Sequence, residues 1–363
     1  MMQQQIKLTN VIKLSGAYIA YLIGSGFATG QEVMQFFASF GIYGIFGALV
    51  SALLFCLLGS TLMMKGFDLQ LKQPGRIFKY YCGNILGTLI EYFTLIFIFS
   101  IVVIMIAGTG AVVAEQFHLP NLVGVLGMGI VAMITVILGL QKLVDIIGTV
   151  GPIIVILTIG ICLIVFFSNI GSLSNMLYLP ESAKNLQPTT HWWQSGGLFF
   201  CYNILAGSIF FSQLGQQSNS RKEAGITGIV GGSVLMLTVI VMIIALLVHS
   251  DHVFELEVPV LYLGTTIAPF IAFIFSVCIL LGIYSTTAPM YWLVKNEFMK
   301  IFPSKLSVPV TVVLDIVFII CGTLPFGELV SIIYPFVGYI GAIVVVIIFV
   351  RTLYNNFVNK RST

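Results

Sequence analysis

The sequence predicts an all-α polytopic membrane protein of ten transmembrane helices, arranged as a five-plus-five inverted repeat with helices 1 and 6 broken. Three observations predict this class: the composition, the distribution of cationic residues, and two hydrophobic segments interrupted by glycine and serine. Of the 363 residues, 58% are hydrophobic and 8% charged, and the mean hydropathy is +1.07. A soluble globular domain carries about 25% charged residues, so that class is excluded.

The spans come from the length of the apolar segments, because crossing a bilayer takes about 20 apolar residues at 1.5 Å rise. Ten segments qualify, and they form a single transporter-like domain over residues 1–363. They are Leu14–Ala38, Gly41–Lys65, Asn84–Glu115, Leu122–Leu140, Leu143–Phe167, Ser195–Gln213, Glu223–His249, Thr266–Val294, Leu306–Gly322 and Glu328–Arg351.

The cationic residues test this assignment. With the N-terminus inside, 15 of the 16 Lys and Arg residues fall on the cytoplasmic side and Lys184 alone falls outside. Such an excess is the positive-inside signature, and one missed span would have scrambled it. Both termini are therefore predicted to be cytoplasmic, in a bacterial plasma membrane. The net charge of +3 records this orientation and does not indicate a nucleic-acid partner.

The inverted repeat, approximately 14–167 and 195–351, is predicted from two matching interruptions. The first span contains Gly24-Ser25-Gly26 and the sixth contains Ala206-Gly207-Ser208, and both then run into glutamine. Because each unit has five spans, an odd number, the second unit crosses the membrane in the opposite direction to the first. Glycine-interrupted segments at corresponding positions of two halves indicate a binding site near the middle of the membrane.

The residues around these breaks are the candidate ligands. Amides freed at Gly24, Ser25, Gly26 and Phe27 suit an anionic group, and the preceding carbonyls of Ala20 and Ile23 suit a cation. Tyr202 and Phe27 flank the two breaks as candidate pocket walls. The alternative is that the glycines only permit close helix packing.

Span 8 contains Ser285, Thr286 and Thr287 in succession. Hydroxyl oxygens together with freed carbonyls make a sodium-like site without a carboxylate. The alternative is that these hydroxyls bond back to the preceding helical turn.

Three carboxylates lie within predicted spans: Glu32, Glu91 and Asp315. Acids at membrane depth are costly and are functional candidates by default. Glu32 is predicted to lie at an external gate. Glu91 and Asp315 have no Lys or Arg within the spans to pair with, so each is a candidate proton carrier.

The run from Gly24 to Glu32, Gly-Ser-Gly-Phe-Ala-Thr-Gly-Gln-Glu, resembles the first-span signature of the YkvI-like family of predicted bacterial amino-acid permeases. That family belongs to the amino acid, polyamine and organocation superfamily with the LeuT fold. The resemblance implies a sodium site on Ala20, Ile23 and the hydroxyls of Ser285, Thr286 or Thr287. It also implies a substrate site formed by Gly24, Ser25, Gly26, Tyr202, Asn203, Leu205, Gly207 and Ser208.

Two departures from the family pattern are informative. Phe27 stands where sodium/neurotransmitter symporters have an asparagine, which weakens a second sodium site. No lysine within span 5 replaces sodium, as it does in proton-coupled relatives.

Together these observations predict a sodium-coupled symporter of a small amino acid or a related zwitterion or organic cation, working by alternating access. The alternatives are a proton-coupled permease using Glu91 or Asp315, and an uncoupled channel or sensor on the same fold. No enzyme activity, organic cofactor or obligate protein partner is predicted; the partners are a small-molecule substrate and the lipid bilayer. Six cysteines lie in or beside apolar segments without metal-ligand spacing.

Overall fold

The computed structural model describes residues 6–71, 76–139, 144–169 and 179–361, with backbone only for 144–152 and 355–361. All regular structure in these ranges is helical. The α-helices are α1 (Leu8–Leu22), α2 (Ser25–Thr29), α3 (Gln31–Phe36), α4 (Tyr43–Leu54), α5 (Ser60–Leu69), α6 (Arg76–Phe117), α7 (Asn121–Leu138), α8 (Val144–Ser168), α9 (Glu181–Asn185), α10 (Trp192–Gln216), α11 (Arg221–Val248), α12 (Pro259–Ile267), α13 (Pro269–Phe298), α14 (Ser307–Gly322) and α15 (Phe326–Arg361).

Eight helices within the described ranges are long and apolar enough to cross a membrane. One of them joins α4 to α5 through a π-helical turn at Phe55–Gly59. The other seven are built on α6, α7, α10, α11, α13, α14 and α15. The two remaining predicted spans correspond to the interrupted α1–α3 segment and to α8, whose predicted start at Leu143 lies outside the described residues. Ten crossings therefore stay a prediction, as does the cytoplasmic placement of Lys72 and Lys142, which also lie outside those ranges.

The predicted interruption of the first span is confirmed. Ile23 (φ −85°, ψ 95°) and Gly24 (φ −98°, ψ −170°) are extended and separate α1 from α2. A second interruption follows at Gly30, whose φ of 87° lies in the left-handed region. Glycine adopts this conformation without the steric cost that a Cβ brings. The first predicted span thus consists of three separate helices, α1, α2 and α3.

The predicted break in the sixth span is wrong. The helix α10 runs without interruption from Trp192 to Gln216, through Ala206, Gly207 and Ser208. The Ser208 hydroxyl donates to the carbonyl of Ile204, one turn back, which satisfies the hydroxyl inside the helix. A Cβ on Gly207 would lie 2.7 Å from the Phe211 ring, so this glycine makes room for an aromatic side chain. Small and polar residues permit a break but do not impose one.

The core is built around α6 and α10, whose apolar stretches are mostly buried. The helix α6 packs against α7, α13, α14 and α15, and α10 packs against α4, α5 and α15. The helix α11 joins α1 to α5 and α8. Because only the first half contains a broken helix, one of the two supports for the inverted repeat is removed, and the repeat stays a prediction.

Candidate functional site

A small cavity of about 50 Å³ lies beside the break between α1 and α2. Six helices and the break itself contribute to its wall, which brings together residues far apart in the sequence. The lining residues are Tyr21, Leu22, Gly24, Glu32, Phe97, Ile101, Met105, Tyr202, Asn203, Ala206, Thr286, Met290 and Tyr334. A polar, water-sized space among apolar helices can hold a small bound solute or a few water molecules.

The Glu32 carboxylate is the one acidic group of the cavity lining, and its side chain is 4% exposed. The Tyr202 hydroxyl donates a hydrogen bond of 2.5 Å to Glu32 Oε2. The Tyr334 hydroxyl approaches the same carboxylate, and its ring stacks on that of Tyr202 with centroids 4.7 Å apart and planes 9° apart. Two tyrosines therefore hold the carboxylate in place.

Glu32 lines the cavity, and its predicted role at an external gate stays a prediction. Glu32 faces the cavity because Gly30 turns the chain between α2 and α3, which redirects the face of α3. Gly26 leaves the space that the carboxylate fills, since a Cβ on Gly26 would overlap Glu32 Oε1. Gly26, inside α2, and Gly30, at its end, thus set the depth and the direction of the Glu32 side chain.

The predicted substrate residues fall into two groups. Gly24, Tyr202 and Asn203 line the cavity. The remaining six are outside the lining and are Ser25, Gly26, Phe27, Leu205, Gly207 and Ser208. The amide of Ser25 donates to Met105 Sδ at 3.4 Å, so this predicted anion-binding group already has a partner. In addition, α2 has only five residues, which limits the dipole at its start.

Several lining residues were not predicted as substrate ligands. Tyr334 on α15 and the thioethers of Met105 and Met290 are the chemically informative ones. Tyr334 is 302 residues from Glu32 along the chain, and no local pattern in the sequence connects them. Ala206, the neighbour of the predicted Leu205 and Gly207, also lines the cavity, and its carbonyl accepts 2.9 Å from the Tyr21 hydroxyl.

The three hydroxyls of span 8 all bond within their own helix. Ser285 Oγ and Thr286 Oγ1 donate to the carbonyl of Gly282, at 2.7 and 3.2 Å. Thr287 Oγ1 donates to the carbonyl of Ile283 at 2.7 Å. A hydroxyl that donates its proton keeps two acceptor lone pairs, so these bonds are compatible with ion binding and do not require it.

The geometry separates the three hydroxyls. Thr286 lines the cavity, and Thr287 is fully buried. The helix α13, which carries them, packs against α2, immediately after the break. The carbonyl of Ala20, in the last turn of α1, has no following turn to bond with because the helix ends at Leu22, and the carbonyl of Ile23 belongs to the extended segment just beyond it.

Glu91 has a cationic partner, contrary to the prediction. Lys79 Nζ lies 3.3 Å from Glu91 Oε2, and both side chains are more than one-third exposed. The pairing arises because Gly83 (φ 78°) reverses the chain inside α6. This reversal lays the segment around Lys79 against Gly87. Glu91 is therefore in an exposed ion pair and not in the cavity.

Asp315 is 3% exposed in α14, and its Oδ1 has no hydrogen-bond partner among the described residues. A Cβ on Gly129 of α7 would lie 3.4 Å from this oxygen, so the carboxylate sits in the contact between α14 and α7. It does not line the cavity. Among the residues that the structure describes, no group of three His, Cys, Asp or Glu side chains is placed to share a metal ion.

Hydrogen bonds join α3, α6 and α15 in a cluster that we call the α3–α15 seal and define by Gln35, Glu115, Glu257 and Gly327. Gln35 Nε2 donates to the carbonyl of Gly327 at 2.9 Å, and the Gly327 amide donates to Glu257 Oε1 at 3.3 Å. Glu115 Oε1 accepts from the amides of Glu257 and Val258, at 2.8 and 3.0 Å. The seal ties together α3, α6, α15 and the segment before α12.

At the end that carries the N-terminus, Glu223 joins α1 to α11. Its carboxylate accepts from the Lys7 amide at 2.9 Å, from Asn10 Nδ2 at 2.6 Å and from the Asn219 amide at 2.9 Å. The Ser220 hydroxyl caps α11 by accepting from the Glu223 amide at 3.1 Å. The base of α1 is thus fastened at the start of α11.

A bundle that includes eight apolar helices of membrane-spanning length within the described residues, with a buried carboxylate beside a helix break, defines the class of multi-pass membrane proteins. The chain is 25% identical over 329 residues to the uncharacterized membrane protein YkvI of Bacillus subtilis, covering 90% of this chain and 92% of YkvI. It is also 25% identical over 322 residues to the uncharacterized protein YyaD of the same organism, covering 87% and 89%. No family model matches the sequence.

Among solved structures, the fold is similar to that of the Eremococcus coleocola manganese transporter. The TM-score is 0.52 for each of two of its variants, at 15% sequence identity, covering 89% of this chain and 74% of the transporter. This likeness establishes a shared fold.

Proposed function

We propose that this protein is a secondary active transporter that moves a small amino acid, a related zwitterion or an organic cation by alternating access. The observation that carries the proposal is the cavity at the helix break, with the Glu32 carboxylate in its wall. Its fold is shared with a manganese transporter, and solute sites at broken helices are typical of secondary transporters.

The closure of the bundle supports alternating access. The α3–α15 seal closes one end, and the Glu223 cluster fastens the base of α1 at the other. Each of these contacts includes a few hydrogen bonds between separate elements of the bundle. Such contacts are suited to forming and breaking in turn as the solute site is exposed to one side or the other.

Sodium is the proposed coupling ion. The lone pairs of Ser285 and Thr286, with the released carbonyls of Ala20 and Ile23, supply the neutral oxygens that a hard cation prefers. Proton coupling is the rival. The ion pair of Glu91 with Lys79 and the position of Asp315 outside the cavity weigh against the two carboxylates assigned to that rival.

Manganese, the cargo named for the structural neighbour, is less suited to this cavity. Divalent cations with hard-ligand preference are held by several carboxylate or carbonyl oxygens. Here the lining offers one carboxylate beside aromatic and thioether side chains. An organic cation or a zwitterion makes better use of such a wall.

The test is uptake into proteoliposomes that contain the purified protein. Solute is supplied under an inward sodium gradient, an inward proton gradient, or neither, with manganese as a separate cargo. We expect uphill accumulation of an amine-bearing solute under the sodium gradient only. Accumulation driven by the proton gradient would identify protons, and not sodium, as the coupling ion. Uphill uptake of manganese would identify manganese as the cargo.

Absence of uphill accumulation under every gradient would favour a channel or a sensor. The matched control is Glu328→Gln, which removes an exposed carboxylate at the start of α15. This control should accumulate solute like the unaltered protein.

A further inference from the structure

We propose that the cargo is a small amine or quaternary ammonium ion without a carboxylate, and that Glu32 is its counter-charge. This inference rests on the proposed function and narrows it from amino acids and zwitterions to cations. It follows from the use of hydrogen-bond donors in the cavity, from the charge of Glu32, and from the aromatic wall.

The side-chain donors of the cavity are already directed at protein acceptors. The Tyr21 hydroxyl donates to the carbonyl of Ala206, the Tyr202 hydroxyl to Glu32, and the Thr286 hydroxyl to the carbonyl of Gly282. A substrate carboxylate placed here would need donors from this set. It would have to break an existing bond for each donor that it gained.

Asn203 follows the same pattern. Its Nδ2 donates 2.9 Å to the carbonyl of Phe199, which directs the amide nitrogen into the helix and leaves Oδ1 as an acceptor. The amide of Ser25, at the start of α2, donates to Met105 Sδ. The side-chain atoms left for a ligand are thus mainly acceptors: Asn203 Oδ1, the carboxylate of Glu32 and the hydroxyl lone pairs of Thr286.

The charge of the cavity also points to a cation. Glu32 is buried and makes no ion pair with any Lys, Arg or His of the described residues. The other titratable groups of the lining are the tyrosines Tyr21, Tyr202 and Tyr334, which carry no positive charge. A buried carboxylate is costly without a positive partner, and an ammonium cargo supplies that partner.

The aromatic wall suits the rest of such a cargo. Phe97, Tyr202 and Tyr334 line the space next to Glu32. Ring faces attract ammonium groups, and aromatic surfaces are the usual recognition element for quaternary ammonium ligands. The thioethers of Met105 and Met290 complete an apolar, polarizable surface for the methyl or methylene groups of a small amine.

The experiment compares solutes that differ in one group. Ethylamine is alanine without its carboxylate, and propionate is alanine without its amine. Tetramethylammonium tests a quaternary cation. Binding to the purified protein in sodium buffer is measured by titration calorimetry and by thermal stabilisation. We expect ethylamine or tetramethylammonium to bind about ten- to hundredfold more tightly than alanine, and propionate not to bind.

Glu32→Gln keeps an acceptor for the Tyr202 hydroxyl and removes the charge, so we expect at least about a thirtyfold loss of amine affinity. Glu328→Gln is the charge-matched control and should bind like the unaltered protein. The melting temperature of unliganded Glu32→Gln establishes that it is folded, and the comparison of solutes on the unaltered protein needs no variant.

The outcomes separate this inference from the proposed function. Tight binding and uphill uptake of alanine, with ethylamine inactive, would overturn the inference and leave a transporter. Binding of ethylamine without uphill uptake would support the ligand class and overturn transport. Binding by neither cation, or equal binding to Glu32→Gln, would overturn the inference.

Discussion

The left-handed turn at Gly30 sets the direction of Glu32, and replacing this residue by alanine tests that role. Gly30 has φ 87° and ψ −2°, where an L-residue pays about 1–2 kcal/mol. A Cβ at this position would also stand 2.5 Å from Val260 Cγ2 and 3.3 Å from Pro259 Cγ, and overpacking of this kind costs about 1–3 kcal/mol. The two terms together predict that Gly30→Ala lowers the free energy of unfolding by about 2–5 kcal/mol.

A double-mutant cycle separates the two terms. Val260→Ala removes the side chain that the new Cβ would meet, so the double variant should be less destabilised than the sum of the single variants by about 1–3 kcal/mol. The cost of placing alanine in the left-handed backbone conformation at position 30 should remain in the double variant. The free energy is measured by unfolding in mixed detergent micelles, where the folded fraction is followed by circular dichroism.

Gly16→Ala is the control for Gly30→Ala. Gly16 lies within α1, and a Cβ there would meet nothing within 4 Å. Alanine is the better helix former by about 1 kcal/mol, so this control should be as stable as the unaltered protein or more stable. A stability of Gly30→Ala equal to that of the control, or strict additivity in the cycle, would refute the reasoning.

Three further predictions concern the candidate ion and closure groups. Replacing Ser285 and Thr286 together by alanine should raise the sodium concentration for half-maximal uptake about tenfold or more, since two neutral ligands are lost; unchanged sodium dependence would remove both from the ion site. Glu223→Gln, which weakens the hydrogen bonds that the carboxylate accepts from α1, should cost about 1–3 kcal/mol of stability, measured by detergent unfolding, and an unaltered midpoint would show that this contact is not stabilising. Asp315→Asn and Glu91→Gln should each leave uptake within about twofold because neither lines the cavity; loss of uptake in either would favour proton coupling.

Hydropathy and glycine content predicted much of the fold because both act locally. Apolar runs of bilayer length identify helices such as α11 and α13 without knowledge of their neighbours. The break at Gly24 was predictable for the same reason, since a segment with Gly24, Ser25 and Gly26 has poor helix propensity. The same rule failed at Gly207, where hydrogen bonding by Ser208 and packing of Phe211 preserve the helix.

The site was harder to predict because it depends on chain reversals and on long-range packing. The depth of Glu32 depends on the φ of Gly30, and the partner of Glu91 depends on the φ of Gly83. Neither angle follows from residue type alone, because glycine populates both signs of φ. Tyr334 reaches the cavity only because α15 packs against α10, a contact between distant parts of the chain.

Two helices, α3 and α15, connect the cavity to the seal. On α3, Glu32 faces the cavity and Gln35 bonds the carbonyl of Gly327. On α15, Gly327 belongs to the seal and Tyr334, about two turns further along, approaches Glu32. A cation that draws Glu32 away from the tyrosines therefore acts on the same two rigid elements that hold the seal. A ligand shifts a conformational equilibrium only by its different affinity for the two states. In the proposed mechanism, the affinity of the cation for Glu32 depends on whether the α3–α15 seal is formed, because α3 and α15 carry both.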